Sequence, residues 1–271
     1  MPNQESVSEH YGVSDLTATI EQALKQTGLD GDRIDWSSLE PLDQFHVRGI
    51  AAIKELAEGL HLFPSAKVLD VGCGIGGPAR FLAANYGVHV TGIDLTPRFI
   101  DAAKMLSERT GLADRTEFHQ GDALDLVHAD ATFDAAWTIH VAMNIADRSR
   151  LYKGIYTVLH SGGRLAIYDV VAGNGAPLTF PLPWASSADA SFLLTADAMR
   201  DVLTKTGFTV ESWEDTTEAG IAQFARQAQN IQASPLGLQI VIGPEFPKMV
   251  GNLVQALKDG RLRLVQTILV K

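Results

Sequence analysis

Residues 67–77, Lys67-Val-Leu-Asp-Val-Gly-Cys-Gly-Ile-Gly-Gly77, constrain the fold more than any other stretch of this chain. A short apolar run ends in an acid, and a glycine-rich turn then leads into a helical pattern over 78–85. Gly72, Gly74, Gly76 and Gly77 let the backbone adopt positive φ and approach a ligand that a Cβ would keep away. A helix after such a turn aims its free N–H groups and its positive dipole end at whatever sits there. Strand, tight turn and helix in that order imply a parallel sheet with its ligand beyond the strand ends. Asp70, just before the first of these glycines, narrows that ligand. A pyrophosphate would be repelled there, whereas a cationic group would be held.

The alternation continues downstream. Strands are expected at 88–94, 116–119, 133–138 and 164–171, with helices at 97–110 (capped by Thr96, with Pro97 at its first position) and 148–159, the latter stopped by Ser161-Gly162-Gly163. A Pro-containing loop over 173–190, a helix over 195–206, and strands at 208–213 and 261–270 complete the series. Between those last two strands the segment 216–258 reads as mostly helical, interrupted around 235–247. Two amphipathic helices precede the glycine turn, one over 16–27 and one within 41–59. The organisation that follows is a helical N-terminal cap (1–62), a binding core (63–215), a helical insertion (216–260) and a final core strand (261–271).

Several function classes are excluded by simple totals. The 22 Lys and Arg against 32 Asp and Glu give a formal charge of −10, which argues against nucleic acid and anionic membranes as partners. A single cysteine, Cys73, rules out an intramolecular disulfide framework and a Cys-rich zinc site. The eight histidines are scattered without ligand spacing, so no metal is expected. Neither a nucleophile elbow nor a P-loop lysine is present, which removes hydrolase and kinase readings. The polar N-terminus lacks the apolar stretch of a signal peptide, so a cytoplasmic protein is expected.

The strand ends carry Asp70, Asp94, Asp122 and Asp169, an acidic set around one crevice. An acid about twenty residues past the glycines would also suit the ribose of a nicotinamide cofactor, but Asp70 and the Gly121-Asp122 pair count against that. Val68-Leu-Asp-Val-Gly-Cys-Gly-Ile-Gly-Gly77, Val90-Thr-Gly-Ile-Asp94, Gly121-Asp122-Ala123, Phe133-Asp134 and Gly162-Gly163-Arg164-Leu165 resemble, in order and spacing, the motifs of class I S-adenosylmethionine-dependent methyltransferases. The chain looks closest to members acting on small molecules, such as the sarcosine/dimethylglycine, tocopherol and sugar O-methyltransferases. The resemblance implies a Rossmann-like α/β fold: a seven-stranded, mostly parallel sheet with helices on both faces, a helical N-terminal cap and a helical insertion before the last strand.

The resemblance also implies roles. Asp70 and the backbone of Gly72, Cys73, Gly74 and Gly76 would hold the aminocarboxypropyl end of S-adenosyl-L-methionine. Asp94 would accept from both ribose hydroxyls, and Asp122 from the adenine amine, with the Ala123 N–H facing the ring. Leu95 and Trp137 would border the adenosine. His140 is the candidate general base, with Asp169 placed to pair with it or bind substrate, while Tyr11, His46, Asn144 and Trp184 are candidates to contact the acceptor. The chain departs from the family pattern at Met143-Asn144, where several relatives carry a histidine. The expected reaction is methyl transfer to a small-molecule N or O acceptor. The alternatives are C-methylation of a quinone- or tocopherol-like acceptor and a noncatalytic cofactor-binding regulator. A homodimer contact through the Pro-rich loop or the inserted helices stays open.

Overall fold

The computed structural model describes residues 15–229 and 235–271. Helices α1 (Leu16–Gln26), α2 (Glu40–Asp43) and α3 (Ile50–Gly59) come first, followed by β1 (Lys67–Val71), α4 (Gly77–Tyr86), β2 (His89–Asp94), α5 (Pro97–Thr110) and β3 (Thr116–Gln120). The chain then returns through β4 (Phe133–Ile139), α6 (Arg148–Val158), β5 (Leu159–Ala172), α7 (Ala196–Thr206) and β6 (Thr209–Asp215). Helices α8 (Thr217–Gln229), α9 (Gln239–Ile242) and α10 (Phe246–Lys258) precede β7 (Leu262–Val270). The seven strands form one sheet in the order β3-β2-β1-β4-β5-β7-β6, with β7 antiparallel to both neighbours. Chain direction across the sheet reverses between β1 and β4, which are adjacent and parallel, and this opens a crevice at their carboxyl ends.

Two-residue periodicity divides the core between the two faces of the sheet. Val68, Ala135 and Ala166 pack on one side with Ile53 and Leu56 of α3 and Phe81 and Leu82 of α4. Leu69, Ala136 and Leu165 pack on the other with Leu151 and Ile155 of α6 and Leu203 of α7. A third cluster joins Leu16, Ile20 and Leu24 of α1 to Phe99 and Leu106 of α5 and to Val241 and Met249 of the segment before β7. Helix α1 and the segment before β7 therefore meet on the outer flank of α5.

Two local expectations are corrected. The helical pattern over 41–59 is split, because Arg48 and Gly49 take φ of 69° and 47° and break the ladder between α2 and α3. The Gly162-Gly163 pair does not stop a helix; α6 already ends at Val158, and Leu159 enters the sheet opposite Phe133. Gly162 instead donates its N–H to the carbonyl of Lys271, tying the start of β5 to the chain's last residue. Among the described residues no helix is long and apolar enough to cross a membrane.

One buried ion pair fixes the N-terminal helices on the sheet. Arg80, wholly buried in α4, donates from Nη2 to Oδ2 of Asp43 at 2.9 Å and from Nη1 to the carbonyl of Ile75 at 2.9 Å. Gly77 lets the two segments close, since a Cβ there would lie 2.4 Å from the Asp43 carbonyl oxygen. Removing one partner strands the other charge in a dry site, which costs about 3–5 kcal/mol. Asp43→Ala should lower the unfolding free energy by that amount in urea titrations. Asp43→Leu combined with Arg80→Met should recover much of it; a single variant as stable as wild type would show that the pair holds nothing.

Candidate active site

The glycine turn is locked from beneath by the neighbouring strand. The N–H groups of Gly72 and Cys73 both donate to the carbonyl of Ile93 at the end of β2, at 2.8 and 2.9 Å. Gly72 has φ of 75°, and a Cβ there would stand 2.3 Å from Cγ2 of Val141. The turn thus fits only because the chain leaving β4 can press against a residue with no side chain. Phe45, from the segment after α2, lies against Gly74 and meets Phe99 edge to face at 5.9 Å.

Above the turn a cavity of about 1060 Å³ extends from the strand ends to the inserted helices. Asp70, Gly72, Cys73, Gly74, Asp94, Leu95, Asp122 and Ala123 all line it. Asp70 is 2% exposed, and its Oδ2 has no hydrogen-bond partner. Burial pushes its carboxyl up to about 7, with the Trp137 indole pulling the other way and the Asp94 charge adding to the rise. Asp94 is half-buried; its Oδ2 accepts from the Gly74 N–H at 3.0 Å and its Oδ1 from the Thr96 N–H at 2.9 Å. Burial raises its pKa, opposed by those two bonds. Asp122 Oδ1 accepts from the Leu124 N–H at 2.8 Å. Cys73 is a buried neutral thiol, because burial and then the charges of Asp70 and Asp94 raise its pKa.

On the other side of the cavity lie His46, His140, Asn144 and Trp184. His140 follows β4 directly with φ of 53°, its N–H donating to the Tyr168 carbonyl at 2.7 Å and its ring tilted on that of Tyr168 at 4.8 Å. Its Nε2 is shielded from solvent and has no partner. Burial, reinforced by His46, brings its pKa well below the ordinary 6.5, so the ring is neutral at pH 7. His46 meets His140 edge to face at 6.2 Å, and its Nε2 lies 3.0 Å from the Gly49 carbonyl. That carbonyl can only accept, so Nε2 carries the proton and Nδ1 is left as an acceptor. Burial lowers the His46 pKa to about 4, only partly offset by the Gly49 contact. Trp184 donates its Nε1 proton to Oγ of Ser191 at 3.0 Å.

Three expected residues lie off the cavity wall. Trp137 is wholly buried beside Asp70 in the β1–β4 register and packs in the core, on the same face as Ala135. Asp169 points to the opposite face from Tyr168, as strand alternation requires. Its Oδ1 accepts from the Val170 N–H at 3.0 Å, and burial, opposed by Arg148, pushes its carboxyl up to about 6. It is neither a cavity residue nor a hydrogen-bond partner of His140 among the described residues. Gly76 serves as the N-cap of α4, its carbonyl accepting from the Arg80 N–H. Tyr11 lies outside the described residues. Sequence reasoning missed Arg48 and Gln223, which both line the cavity. Gln223 stands four residues before Gln227 on α8, a spacing that puts both amides on one face and could have revealed it.

An open doubly wound sheet with a glycine turn at its switch point and carboxylates at the strand ends defines a nucleoside-binding α/β protein. Comparison with known proteins makes this specific. Residues 69–167 match the methyltransferase domain family. The chain is 32% identical over 181 residues to the O-methyltransferase rstn1 of Aspergillus nomiae, covering 66% of this chain and 80% of that one. It is 38% identical over 137 residues to methyltransferase GfsG of Streptomyces halstedii, covering 51% of this chain and 48% of that protein, so it spans about half the length of that relative. The geranyl diphosphate C-methyltransferase of Streptomyces coelicolor A3(2) superposes with a TM-score of 0.73 at 15% identity, covering 100% of this chain and 98% of that chain, which is a likeness of fold. The chain belongs to the class I S-adenosylmethionine-dependent methyltransferases. The residues present fit that family's donor, since the unpartnered buried oxygen of Asp70 suits a cationic group and the glycine turn leaves room beside it.

The raised Asp70 pKa has a consequence for the ligand-free protein. Between about pH 4 and 7 the folded state holds a proton that the unfolded chain has released, so stability falls as pH rises and the loss is complete above about pH 7. About three pH units at 1.36 kcal/mol each bound the effect at about 4 kcal/mol. Asp70→Asn should therefore gain stability relative to wild type as pH rises from 4 to 8, measured by urea denaturation without ligand. A difference between the two proteins that does not vary with pH would contradict this.

Proposed function

We propose that this chain transfers the methyl group of S-adenosyl-L-methionine to a nitrogen or oxygen of a small-molecule acceptor. The observation that carries this reading is the neutral His140, whose buried Nε2 is unpartnered at the cavity wall. In this reading Asp70 and the backbone of Gly72, Cys73 and Gly74 hold the aminocarboxypropyl end of the donor. Asp94 takes the ribose hydroxyls, a task suited to the two oxygens of one carboxylate. Asp122 takes the adenine amine, with Leu95 and Ala123 alongside. When bound, the donor supplies a sulfonium methyl open to in-line displacement. The chain's own work is to orient the acceptor and keep out water, and alignment of this kind is worth effective molarities of about 10⁵–10⁸ M.

His140 would accept the proton that an O–H or N–H acceptor gives up, at Nε2. Burial keeps the ring neutral and ready for this, while the bond from its N–H to Tyr168 fixes the backbone that carries it. His46, Asn144 and Trp184 would border the acceptor. The helices over 1–62 and 216–260 are assigned the roles of cap and lid, supported by the lining they give the cavity at Phe45, His46, Phe224 and Leu253. Asp169 has no part in this scheme because its carboxylate faces away from the cavity.

C-methylation is the second reading, favoured by the apolar wall at Phe224, Ile242 and Leu253. The two separate on one variant. Loss of a general base costs about 10²–10⁴-fold in rate. His140→Ala should lower kcat by that range on an acceptor that wild type turns over, with S-adenosylhomocysteine affinity by calorimetry unchanged. Full activity in this variant would remove the base and favour the carbon acceptor.

A further inference from the structure

We infer that the acceptor is an uncharged molecule with hydroxyl groups on a bulky apolar body, and that phosphate-bearing acceptors are refused; this rests on the methyl-transfer reading of the same cavity. Charge is the first argument. Among the described residues lining the cavity, Arg48 is the only lysine or arginine. Its guanidinium is already engaged, with Nη1 donating to Oε2 of Glu55 at 2.8 Å and to Oε1 of Gln266 at 3.1 Å, and Nη2 pairing with Glu55. Residues 1–14 and 230–234 contain neither lysine nor arginine in the sequence. Glu40, Asp70, Asp94 and Asp122 share the same lining. A phosphate brings a charge of about −1.5 to −2 at neutral pH and needs arginine or lysine as its partner.

Shape and hydrogen-bonding capacity give the other half. The cavity, at about 1060 Å³, stands at the top of the range of roughly 300–1,000 Å³ for small-molecule sites, so it has space for an acceptor beside the donor. Phe224, Leu238, Ile242, Phe246, Val250 and Leu253 make the side contributed by the helices before β7, a surface that solvates hydrocarbon. Set against that apolar surface are Gln44 and Gln223, each with a buried Oε1 that has no partner. The amide of Gln44 is oriented by its own bond, Nε2 donating to Oδ1 of Asp43 at 2.8 Å, so the free atom is an oxygen that only accepts. The two glutamines flank Gly49: an added Cβ there would lie 3.9 Å from Cβ of Gln44 and 4.0 Å from Nε2 of Gln223. Gln44 Oε1 is an unpaired buried acceptor that a ligand must meet with a donor, and Gln223 Oε1 and His140 Nε2 are further buried polar atoms without a partner; leaving such groups unmet is costly. Hydroxyl groups supply such donors without bringing charge.

Matched ligands test this. The protein saturated with S-adenosylhomocysteine is titrated by calorimetry with geraniol, estradiol and quercetin as neutral alcohols, and with geranyl diphosphate and phosphoethanolamine as anions. At least one alcohol should bind tenfold or more tightly than either anion, and geraniol should bind more tightly than its own diphosphate. Leu253→Asp should weaken that alcohol at least tenfold while S-adenosylhomocysteine affinity stays within twofold of wild type. Geranyl diphosphate binding as tightly as geraniol, or no alcohol binding at all, would overturn the inference. If wild type fails to bind S-adenosylhomocysteine in the first step, the methyl-transfer reading falls, and the acceptor class falls with it.

Discussion

The site depends on the ion pair between Arg80 and Asp43, two buried charges otherwise met by backbone carbonyls on the Arg80 side and by the Gln44 amide on the Asp43 side. Arg80 sits one turn into the helix after the glycine turn, and Asp43 ends the short helix of the N-terminal segment. Their bond brings Phe45 onto Gly74, orients the amide of Gln44 and places His46 beside His140. A buried pair of this kind adds little net stability compared with apolar packing, but it is intolerant of displacement. Its value here is geometric: it holds one wall of the cavity in register with the strand ends that form the other.

The second constraint is that carboxylates are concentrated where little water reaches them. Asp70 and Asp94 both have raised pKa values from burial, and each disfavours the charged form of the other or of Cys73 nearby. A site arranged this way is electrostatically uncomfortable when empty of cations. A cationic ligand relieves the cost and is selected by it. The same field explains why Cys73, although it lines the cavity, is chemically quiet: a thiolate would add another negative charge to the set.

Much of this was legible in the chain because it follows from period and position. Asp70 and Asp94 stand at the ends of largely apolar runs of strand length, and Asp122 follows the strand Thr116–Gln120 by two residues. Strand ends gather at one crevice in any parallel sheet, so their common location needed no knowledge of packing. The strand order and the antiparallel β7 added what periodicity cannot carry. Asp169 and Trp137 were misplaced for different reasons. Asp169 fell to parity, because a residue near a strand end has two faces to choose from and only the packed helices decide which face meets the ligand. Trp137 shares the face of Asp70 but is wholly buried in the core beneath the cavity wall. Arg48 was silent for a different reason. Its positive φ and its bonds to Glu55 and Gln266 arise from contacts up to 218 positions apart, and no local pattern announces them.

The two histidines show how burial sets the chemistry open to this cavity. An exposed imidazole would be partly protonated at neutral pH and would repel a sulfonium donor. Here desolvation keeps both rings neutral, and the Gly49 carbonyl fixes the tautomer of His46. A neutral His140 can coexist with a cationic donor and still accept a proton. The same desolvation makes it a weak base, so in the proposed reaction it would take the proton only as the methyl bond forms and the acceptor oxygen or nitrogen becomes acidic. Proton transfer and methyl transfer would thereby be tied together in that reaction. The apolar wall supplied by Phe224 and Leu253 reinforces this by keeping out the water that would otherwise raise the pKa of the ring and compete for the methyl group.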